Sequence, residues 1–232
     1  MRGKNSVMSI NVVKKIDDMI KISHVLVSVS DKSGLEKLIP DMIKINPDIK
    51  FFSTGGTFNK LKDIIGEKRI SLLTKVSDYT GQPETQGGLV KTLDFKIYLG
   101  LLTETYNDNH NEDIKRTGAV PIDMVIVNLY PFKETIAKQN VTPEGARGNI
   151  DIGGPCMIRA AAKNHLRVAS VIDPSDYDKI ILKMKQNNGS LSLEDRFYFA
   201  QKAFEHTALY DSTIARYLSS TQFDNVKNCY EF

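Results

Sequence analysis

Short apolar runs alternate with helical stripes along most of this chain. Runs rich in β-branched residues predict strands at 24–30, 49–53, 70–73, 124–129 and 167–172. Between them, apolar side chains recur every three or four positions or helix-start signals appear, which predicts helices over 35–45, through 65, from 155, from 173 and over 193–218. Strands that alternate with helices predict an α/β domain, a parallel sheet with helices on both faces, followed here by a helical C-terminal extension.

The remaining segments are less regular. Residues 10–22 place apolar side chains at helical intervals, which predicts a short amphipathic helix or an arm that packs on the domain or on a partner subunit. An ordered loop is expected at 79–93, a strand or the start of a helix at 96–103, and a polar surface segment at 107–118. We therefore divide the chain into an N-terminal arm (1–23), one domain (24–220) and a C-terminal tail (221–232).

Composition narrows the range of partners. The net charge is only +3, so a nucleic-acid surface is not expected. Two cysteines and four histidines are scattered without metal-ligand spacing, which predicts no metal site and no disulfide framework. The sequence has no apolar run near the ~18 residues of a membrane span and no signal-peptide core, so we expect a soluble, cytoplasmic protein.

Polar clusters follow three of the predicted strands. In an open parallel sheet, ligands bind outside the carboxyl ends of the strands. The clusters consist of hydroxyl, lysine, glycine and amide residues, namely Ser28, Ser30, Asp31, Lys32 and Ser33, then Thr54, Gly55, Gly56 and Thr57, and then Asn128, Tyr130 and Pro131. The first two suit a phosphate beside helix N-termini, and the alternative is ordinary turn and cap chemistry.

The stretch 149–165 combines a carboxylate, two glycines, an alanine-rich run and a lysine. Asp151 precedes Gly153 and Gly154, and Lys163 comes near the end of the predicted helix. A loop that enters a helix N-terminus favours anions, while a buried alanine-rich helix after a glycine turn is the structural alternative. If the helix begins at Pro155, Lys163 lies about 12 Å farther along its axis, so Asp151 and Lys163 meet only if the loop folds back, the helix is shorter or the substrate spans the gap.

Several known motifs are absent. The glycines and lysine of 87–92 lack the spacing of a phosphate-binding Walker loop, and neither a dinucleotide fingerprint nor a nucleophile elbow occurs. His206 and Tyr210 are four residues apart on one helix, where packing and hydrogen bonding are favoured over catalysis.

Seven motifs occur together in order, and they carry a resemblance. They are S-V-S-D-K-S-G (28–34), S-T-G-G-T (53–57), V-K-T-L (90–93), N-L-Y-P-F (128–132), D-I-G-G (151–154), R-A-A-A-K-N-H (159–165) and A-F-x-H-T-A-x-Y-D (203–211). Over residues 24–220 the chain resembles the inosine monophosphate (IMP) cyclohydrolase domain of the bifunctional purine-biosynthesis enzymes. The resemblance implies a Rossmann-like, methylglyoxal-synthase-like fold that closes the ring of 5-formamidoimidazole-4-carboxamide ribotide (FAICAR) to IMP and water.

The resemblance also implies site residues and partners. Catalytic roles fall on Lys91, Tyr130, Asp151 and Lys163, with Asp151 and Lys163 as the proton-transfer and charge-stabilising pair. Substrate binding falls on Ser28, Ser30, Lys32, Thr54, Gly55, Gly56, Thr57, Thr92, Asn128, Ile152, Gly153 and Gly154. No cofactor is implied, a homodimer is expected, and the formyltransferase domain of such enzymes has no counterpart here, which suggests a stand-alone enzyme or a shortened chain.

The sequence departs from the family pattern at two places. Leu89 replaces an arginine that lies near the nucleotide in relatives, and Asp94-Phe95 replaces His-Pro. A nucleotide-binding regulatory module and a methylglyoxal synthase, both of the same fold, are the alternatives to the cyclohydrolase.

Overall fold

The computed structural model describes residues 12–83 and 92–232. Its elements in chain order are β1 (Ile20–Lys21), β2 (His24–Val29), α1 (Leu35–Ile45), β3 (Lys50–Ser53), α2 (Gly55–Ile65), a 3-10 helix (Glu67–Leu72), β4 (Leu73–Lys75), α3 (Val76–Thr80), α4 (Phe95–Leu102), α5 (Asp108–Thr117), β5 (Met124–Asn128), α6 (Phe132–Ile136), α7 (Pro143–Arg147), α8 (Gly153–Lys163), β6 (Ala169–Val171), a 3-10 helix (Pro174–Asp176), α9 (Tyr177–Gln186), β7 (Ser190–Leu191), α10 (Leu193–Ser220) and α11 (Phe223–Lys227).

Five of the strands form one parallel sheet in the order β4-β3-β2-β5-β6. The chain lays down β2, β3 and β4 in one direction and then returns to the other side of β2 for β5 and β6. The order therefore reverses between β2 and β5, where Val29 lies opposite Asn128. At such a switch point the loops after the two strands diverge and leave a crevice for a ligand.

Helices cover both faces of the sheet, as the sequence predicts. Alternate side chains of β2 point to opposite faces because a strand has a side-chain period of two. Val25, Val27 and Val29 join the core under α1, α2 and α9. Leu26 joins the second core, which α4, α8 and α10 cover.

Some predicted boundaries are wrong by a few residues. Residues 70–72 belong to a 3-10 helix and the strand follows at Leu73–Lys75. The segment at 96–103 is helical, which is one of the two predicted alternatives. The polar segment at 107–118 forms the surface helix α5, whose first turn Asn107 caps by accepting the backbone N–H of His110. The tail contains the short helix α11, and α8 begins two residues before the predicted start at Pro155.

The described part of the predicted arm, 12–22, is extended and not helical. Its end forms β1, which pairs with β7 in a separate two-stranded sheet. The cause is Arg196, which is fully buried and donates to the backbone carbonyls of Asp17 and Asp18 at 3.0 and 2.8 Å. An α-helix would use those carbonyls internally, so the buried guanidinium favours an extended arm that packs on its own domain.

A buried ion pair closes the sheet at the end opposite the crevice. Asp123, just before β5, accepts the backbone N–H groups of Ser23 and His24 at 3.0 and 2.9 Å and pairs with Arg167 at 3.1 Å. Burial is the largest influence on both groups and raises the pKa of Asp123 while lowering the pKa of Arg167. In residues 12–83 and 92–232 no helix has the length and apolar character needed to cross a membrane.

Candidate functional site

A cavity of about 250 Å³ opens at the carboxyl ends of the central strands. It lies at the reversal of strand order between β2 and β5, where an open α/β sheet binds its ligands. Its lining consists mainly of small and polar residues, namely Ser28, Val29, Ser30, Lys32, Thr54, Gly55, Gly56, Thr57, Thr92, Leu93, Val127, Asn128, Tyr130, Asp151, Gly153, Gly154 and Met157.

One wall of the cavity is the N-terminus of α2. Gly55 has a φ of 48°, in the left-handed region that glycine adopts without strain. The first backbone N–H groups of a helix have no acceptor in the helix, so those of Gly55 and Gly56 are available to an anion. Lys32 adds a positive charge, because its Nζ would lie 4.0 Å from a Cβ placed on Gly56. This wall is suited to a phosphate group.

Several of the predicted binding residues make internal hydrogen bonds, including Lys32, whose Nζ donates to the carbonyls of Val29 and Ser30 at 3.4 and 3.3 Å. In Asn128 and Thr57 these bonds occupy the polar groups of the side chain. Asn128 accepts the backbone N–H groups of Ser30 and Asp31 at 2.6 and 2.9 Å, and its side-chain amide donates to the carbonyl of Asp31. The hydroxyl of Thr57 donates to the carbonyl of Val29 at 3.0 Å and lies 3.2 Å from the Val29 nitrogen. Asn128 and Thr57 therefore hold the loops of the cavity in place.

Asp151 stands on the opposite wall, in the loop before α8. Its carboxylate accepts the backbone N–H of Gly154 at 2.9 Å and a backbone N–H from Tyr130. Burial raises the pKa of Asp151, and the two N–H groups lower it in part. A carboxyl group with a raised pKa inside a crevice is suited to proton transfer.

Two glycines allow the loop of Asp151 to pack against the cavity wall. A Cβ on Gly154 would lie 2.6 Å from Asp151 Oδ2 and 2.6 Å from Leu129 Cδ2. A Cβ on Gly153 would lie 2.6 Å from the hydroxyl oxygen of Thr92. Only glycine fits at either position without displacement, and the free backbone N–H of Gly153 lies at the start of a helix that faces the cavity.

The structure brings most of the predicted site residues together and separates one. Lys163 is exposed at the far end of α8, about 15 Å from Gly153 at ~1.5 Å per residue, and does not line the cavity. Within one chain Asp151 and Lys163 therefore lie at opposite ends of α8 and do not meet. Ile152 is 58% exposed and also stands outside the cavity lining. Lys91 and Leu89 lie outside the described residues.

Two features of the site are not evident from the sequence patterns, the apolar part of the cavity and one contact from α10. Val29, Val127, Leu93 and Met157 form apolar surface beside the polar groups. Tyr210 accepts the backbone N–H of Asp151 at 2.8 Å, so its hydrogen-bonding role, favoured from the sequence, reaches into the site. The spacing of His206 and Tyr210 on one helix is the sequence feature that could have pointed to this contact. Nε2 of His206 is buried without a hydrogen-bond partner among the described residues.

No group of three or more His, Cys, Asp or Glu side chains within 12–83 and 92–232 is arranged to hold a metal ion. Among these described residues, the polar groups that line the cavity are hydroxyls, backbone N–H groups, the Asn128 amide, the Lys32 ammonium and the Asp151 carboxylate. Such a set can bind a phosphorylated small molecule and move a proton, and it offers no cluster of carboxylates or imidazoles to a cation.

Two family models match the chain. The MGS-like domain model matches residues 34–156, and the AICARFT/IMPCHase bienzyme model matches residues 161–231.

Curated relatives extend the match. A bifunctional purine biosynthesis protein PurH of Thermoanaerobacter sp. is 52% identical over 83% of this chain and 36% of its own length. PurH proteins of Leptospira biflexa and Ruminiclostridium cellulolyticum are each 46% identical, over 87% and 88% of this chain, and 38% of their own length. The chain thus spans little more than a third of the curated relatives it matches.

The crystal structure of ForH superposes with a TM-score of 0.72 at 31% identity, covering 83% of this chain and 95% of that one. The parallel sheet, the helices on both faces and the matched segments all agree with the resemblance drawn from the seven motifs. The chain belongs to the MGS-like domain family, and its C-terminal segment matches the AICARFT/IMPCHase bienzyme model.

Proposed function

We propose that this chain is an IMP cyclohydrolase that closes the purine ring of FAICAR to give IMP and water in purine biosynthesis. The observation that carries the proposal is that one cavity is lined both by the helix N-terminus at Gly55 and Gly56, which is suited to an anion, and by the partly buried carboxylate of Asp151. A ribotide needs a phosphate subsite and, at its other end, a group that moves protons. The relatives' name, bifunctional purine biosynthesis protein PurH, supports a place in purine biosynthesis.

The reaction forms one bond and loses one water. The carboxamide nitrogen attacks the formyl carbon and forms the new C–N bond. One proton leaves the carboxamide nitrogen and one leaves the formamide nitrogen, and the formyl oxygen departs with both as water. An amide nitrogen is a poor nucleophile, so the enzyme must hold the two groups in contact and assist the proton transfers.

The residues divide these tasks as follows. Gly55, Gly56 and Lys32 bind the phosphate and fix one end of the substrate. Asp151 accepts the proton from the attacking nitrogen and passes it towards the departing oxygen. The free N–H of Gly153 donates to the formyl oxygen as negative charge develops there, which is the arrangement of an oxyanion hole. Tyr130, at the mouth of the cavity, covers the reacting end.

The direct test is ring closure by the purified protein, followed by the absorbance of IMP, with no folate, metal ion or nucleoside triphosphate added. We expect turnover by the wild-type protein and loss of most of it in Asp151→Asn, which keeps the size of the side chain but removes the base. Tight binding of IMP without turnover would support the regulatory module instead. Release of inorganic phosphate from dihydroxyacetone phosphate would support a methylglyoxal synthase.

Lys163 requires its own experiment because it stands away from the cavity of its own chain. If it acts in the reaction, it must reach the cavity of a second copy, which agrees with the homodimer expected from the sequence. A mixture of Asp151→Asn and Lys163→Ala chains would then regain about a quarter of the wild-type rate, because half of randomly mixed dimers contain one intact site of two. A Lys163→Ala variant with the full rate would remove this lysine from the mechanism.

A further inference from the structure

We infer that Tyr210 is a positioning residue of the proposed active site, which holds the backbone of Asp151 so that its carboxylate faces the reacting end of the substrate. The inference rests on the proposed function for its kinetic consequence and on the contacts of Tyr210 for its geometry. It gives the long C-terminal helix α10 a part in the chemistry of a cavity that it does not line.

The contact is direct and specific. The hydroxyl of Tyr210 accepts the backbone N–H of Asp151 at 2.8 Å, across 59 positions of the chain. The side chain of Tyr210 is buried, with 9% of its surface exposed, and its ring meets Phe132 edge-on at a centroid distance of 6.2 Å. The hydroxyl is therefore held by a packed ring on a rigid helix and is not a mobile surface group.

The loop of Asp151 depends on this contact. The N–H groups of Gly154 and Tyr130 bind the carboxylate and orient the side chain. Neither of these N–H groups interacts with the backbone N–H of Asp151. Because Asp151 lies between α7 and α8, no helix supplies an acceptor for this N–H. Among the described residues, Tyr210 supplies the hydrogen bond that fixes the main chain at this point.

The hydroxyl keeps its proton in this role. Burial and the nearby charge of Asp151 raise the pKa of Tyr210, so the phenol stays neutral across the working pH range. Its side chain lies outside the lining of the cavity that contains Asp151, and its hydroxyl contacts the backbone N–H of Asp151. Tyr210 therefore acts through Asp151 and does not itself transfer a proton in the reaction.

The chain offers a matched control on the same helix. Tyr217 lies seven residues after Tyr210, and its ring also meets Phe132 edge-on, at 5.9 Å. Its side chain lines surface grooves away from the cavity of Asp151. Tyr210→Phe and Tyr217→Phe thus remove the same atom from two similar rings, and only the first loses a contact with the site.

The experiment compares both variants with the wild-type protein in two measurements. In the ring-closure assay, we expect Tyr210→Phe to lower kcat by about 10- to 100-fold with KM unchanged, since a displacement of about 1 Å at a reacting group can cost ~100-fold. Tyr217→Phe should keep the wild-type kcat. The fold of each variant is checked by thermal unfolding.

The second measurement is an NMR titration of the Asp151 carboxyl carbon, which does not require turnover. Loss of the tyrosine hydroxyl frees the loop towards water, so the pKa of Asp151 should fall towards its ordinary value in Tyr210→Phe and stay unchanged in Tyr217→Phe. Equal kcat losses in both variants, a change in KM alone, or an unchanged Asp151 titration in Tyr210→Phe would overturn the inference. If the wild-type protein fails to close the ring, the proposed function fails, and the titration still decides whether Tyr210 positions Asp151.

Discussion

A single methyl group added at Gly154 should disable the site. Gly154 lies in the first turn of α8, where its Cα faces the side chains of Asp151 and Leu129. The Cβ of an alanine would lie 2.6 Å from Asp151 Oδ2 and 2.6 Å from Leu129 Cδ2. Each distance is 0.8 Å shorter than the 3.4 Å at which ordinary van der Waals contact begins.

The size of the expected loss of activity depends on which side chain the new methyl group displaces. Leu129 is buried and packed in the core beside α8, so the carboxylate of Asp151 is the freer of the two groups. A displacement of nearly 1 Å at a reacting group can cost about 100-fold in rate. The expected effect on stability is smaller and mixed, because overpacking costs about 1–3 kcal/mol while alanine gains up to ~1 kcal/mol over glycine within a helix.

The assay measures kcat for ring closure and the urea dependence of unfolding in Gly154→Ala and in a control, Gly148→Ala. Gly148 has a φ of −64°, and a Cβ there would meet its nearest atom, the carbonyl oxygen of Glu144, at 3.5 Å, an ordinary contact. We expect the control to keep full activity and to gain stability slightly. Normal turnover in Gly154→Ala would refute the close packing of Asp151 against α8 as a requirement of the site.

Three other changes test separate parts of the molecule. In Gly56→Ala the new Cβ would lie 3.8 Å from Lys32 Cε, so the protein should fold normally while the methyl group occupies phosphate space and raises KM for the ribotide. The rate should fall as the pH drops through the pKa of Asp151, because the protonated acid cannot accept a proton, and the midpoint should lie above the ordinary value of 3.8 since burial raises this pKa; a midpoint at or below 3.8 would contradict its burial. Asp123→Asn should lower the free energy of unfolding by about 3–5 kcal/mol in urea titrations, because Arg167 keeps its buried charge without a partner; wild-type stability would contradict this account.

The sequence is sufficient to predict the sheet and the phosphate side of the cavity. Apolar runs predict β2, β3 and β5 closely, and Ser30, Lys32, Gly55 and Gly56 follow the first two of these runs directly. Because parallel strands end at one edge of a sheet, residues that follow neighbouring strands converge without any long-range information beyond strand order. The local sequence pattern is therefore enough to predict the phosphate side of the cavity.

The other half depends on contacts that no local pattern contains. The extended arm is set by Arg196, nearly 180 residues away in the chain, whose buried guanidinium requires the carbonyls of Asp17 and Asp18. Asp151 and Lys163 are separated because α8 extends from Gly153 to Lys163. From the sequence, the helix is expected to start two residues later, at Pro155, because proline favours the first position of a helix. Residues 10–22 do have apolar side chains at helical spacing, but over 12–22 a helix does not form, because the buried guanidinium of Arg196 needs the backbone oxygens as acceptors.

The two family matches meet inside α8, since one covers 34–156 and the other 161–231. Among the described residues, none that lines the cavity lies in the second segment: Ser28, Val29, Ser30 and Lys32 precede the first match, Met157 lies between the two matches, and the others fall in the first. The lining alone would therefore suggest that the second segment is only an attached helix. The hydrogen bond from the Asp151 backbone to Tyr210 contradicts that division, because the second segment holds the one carboxylate of the cavity lining in place. In the mechanism we propose, the sheet and the C-terminal helix therefore act as a single unit, in which the sheet binds the substrate and the helix fixes the reacting group.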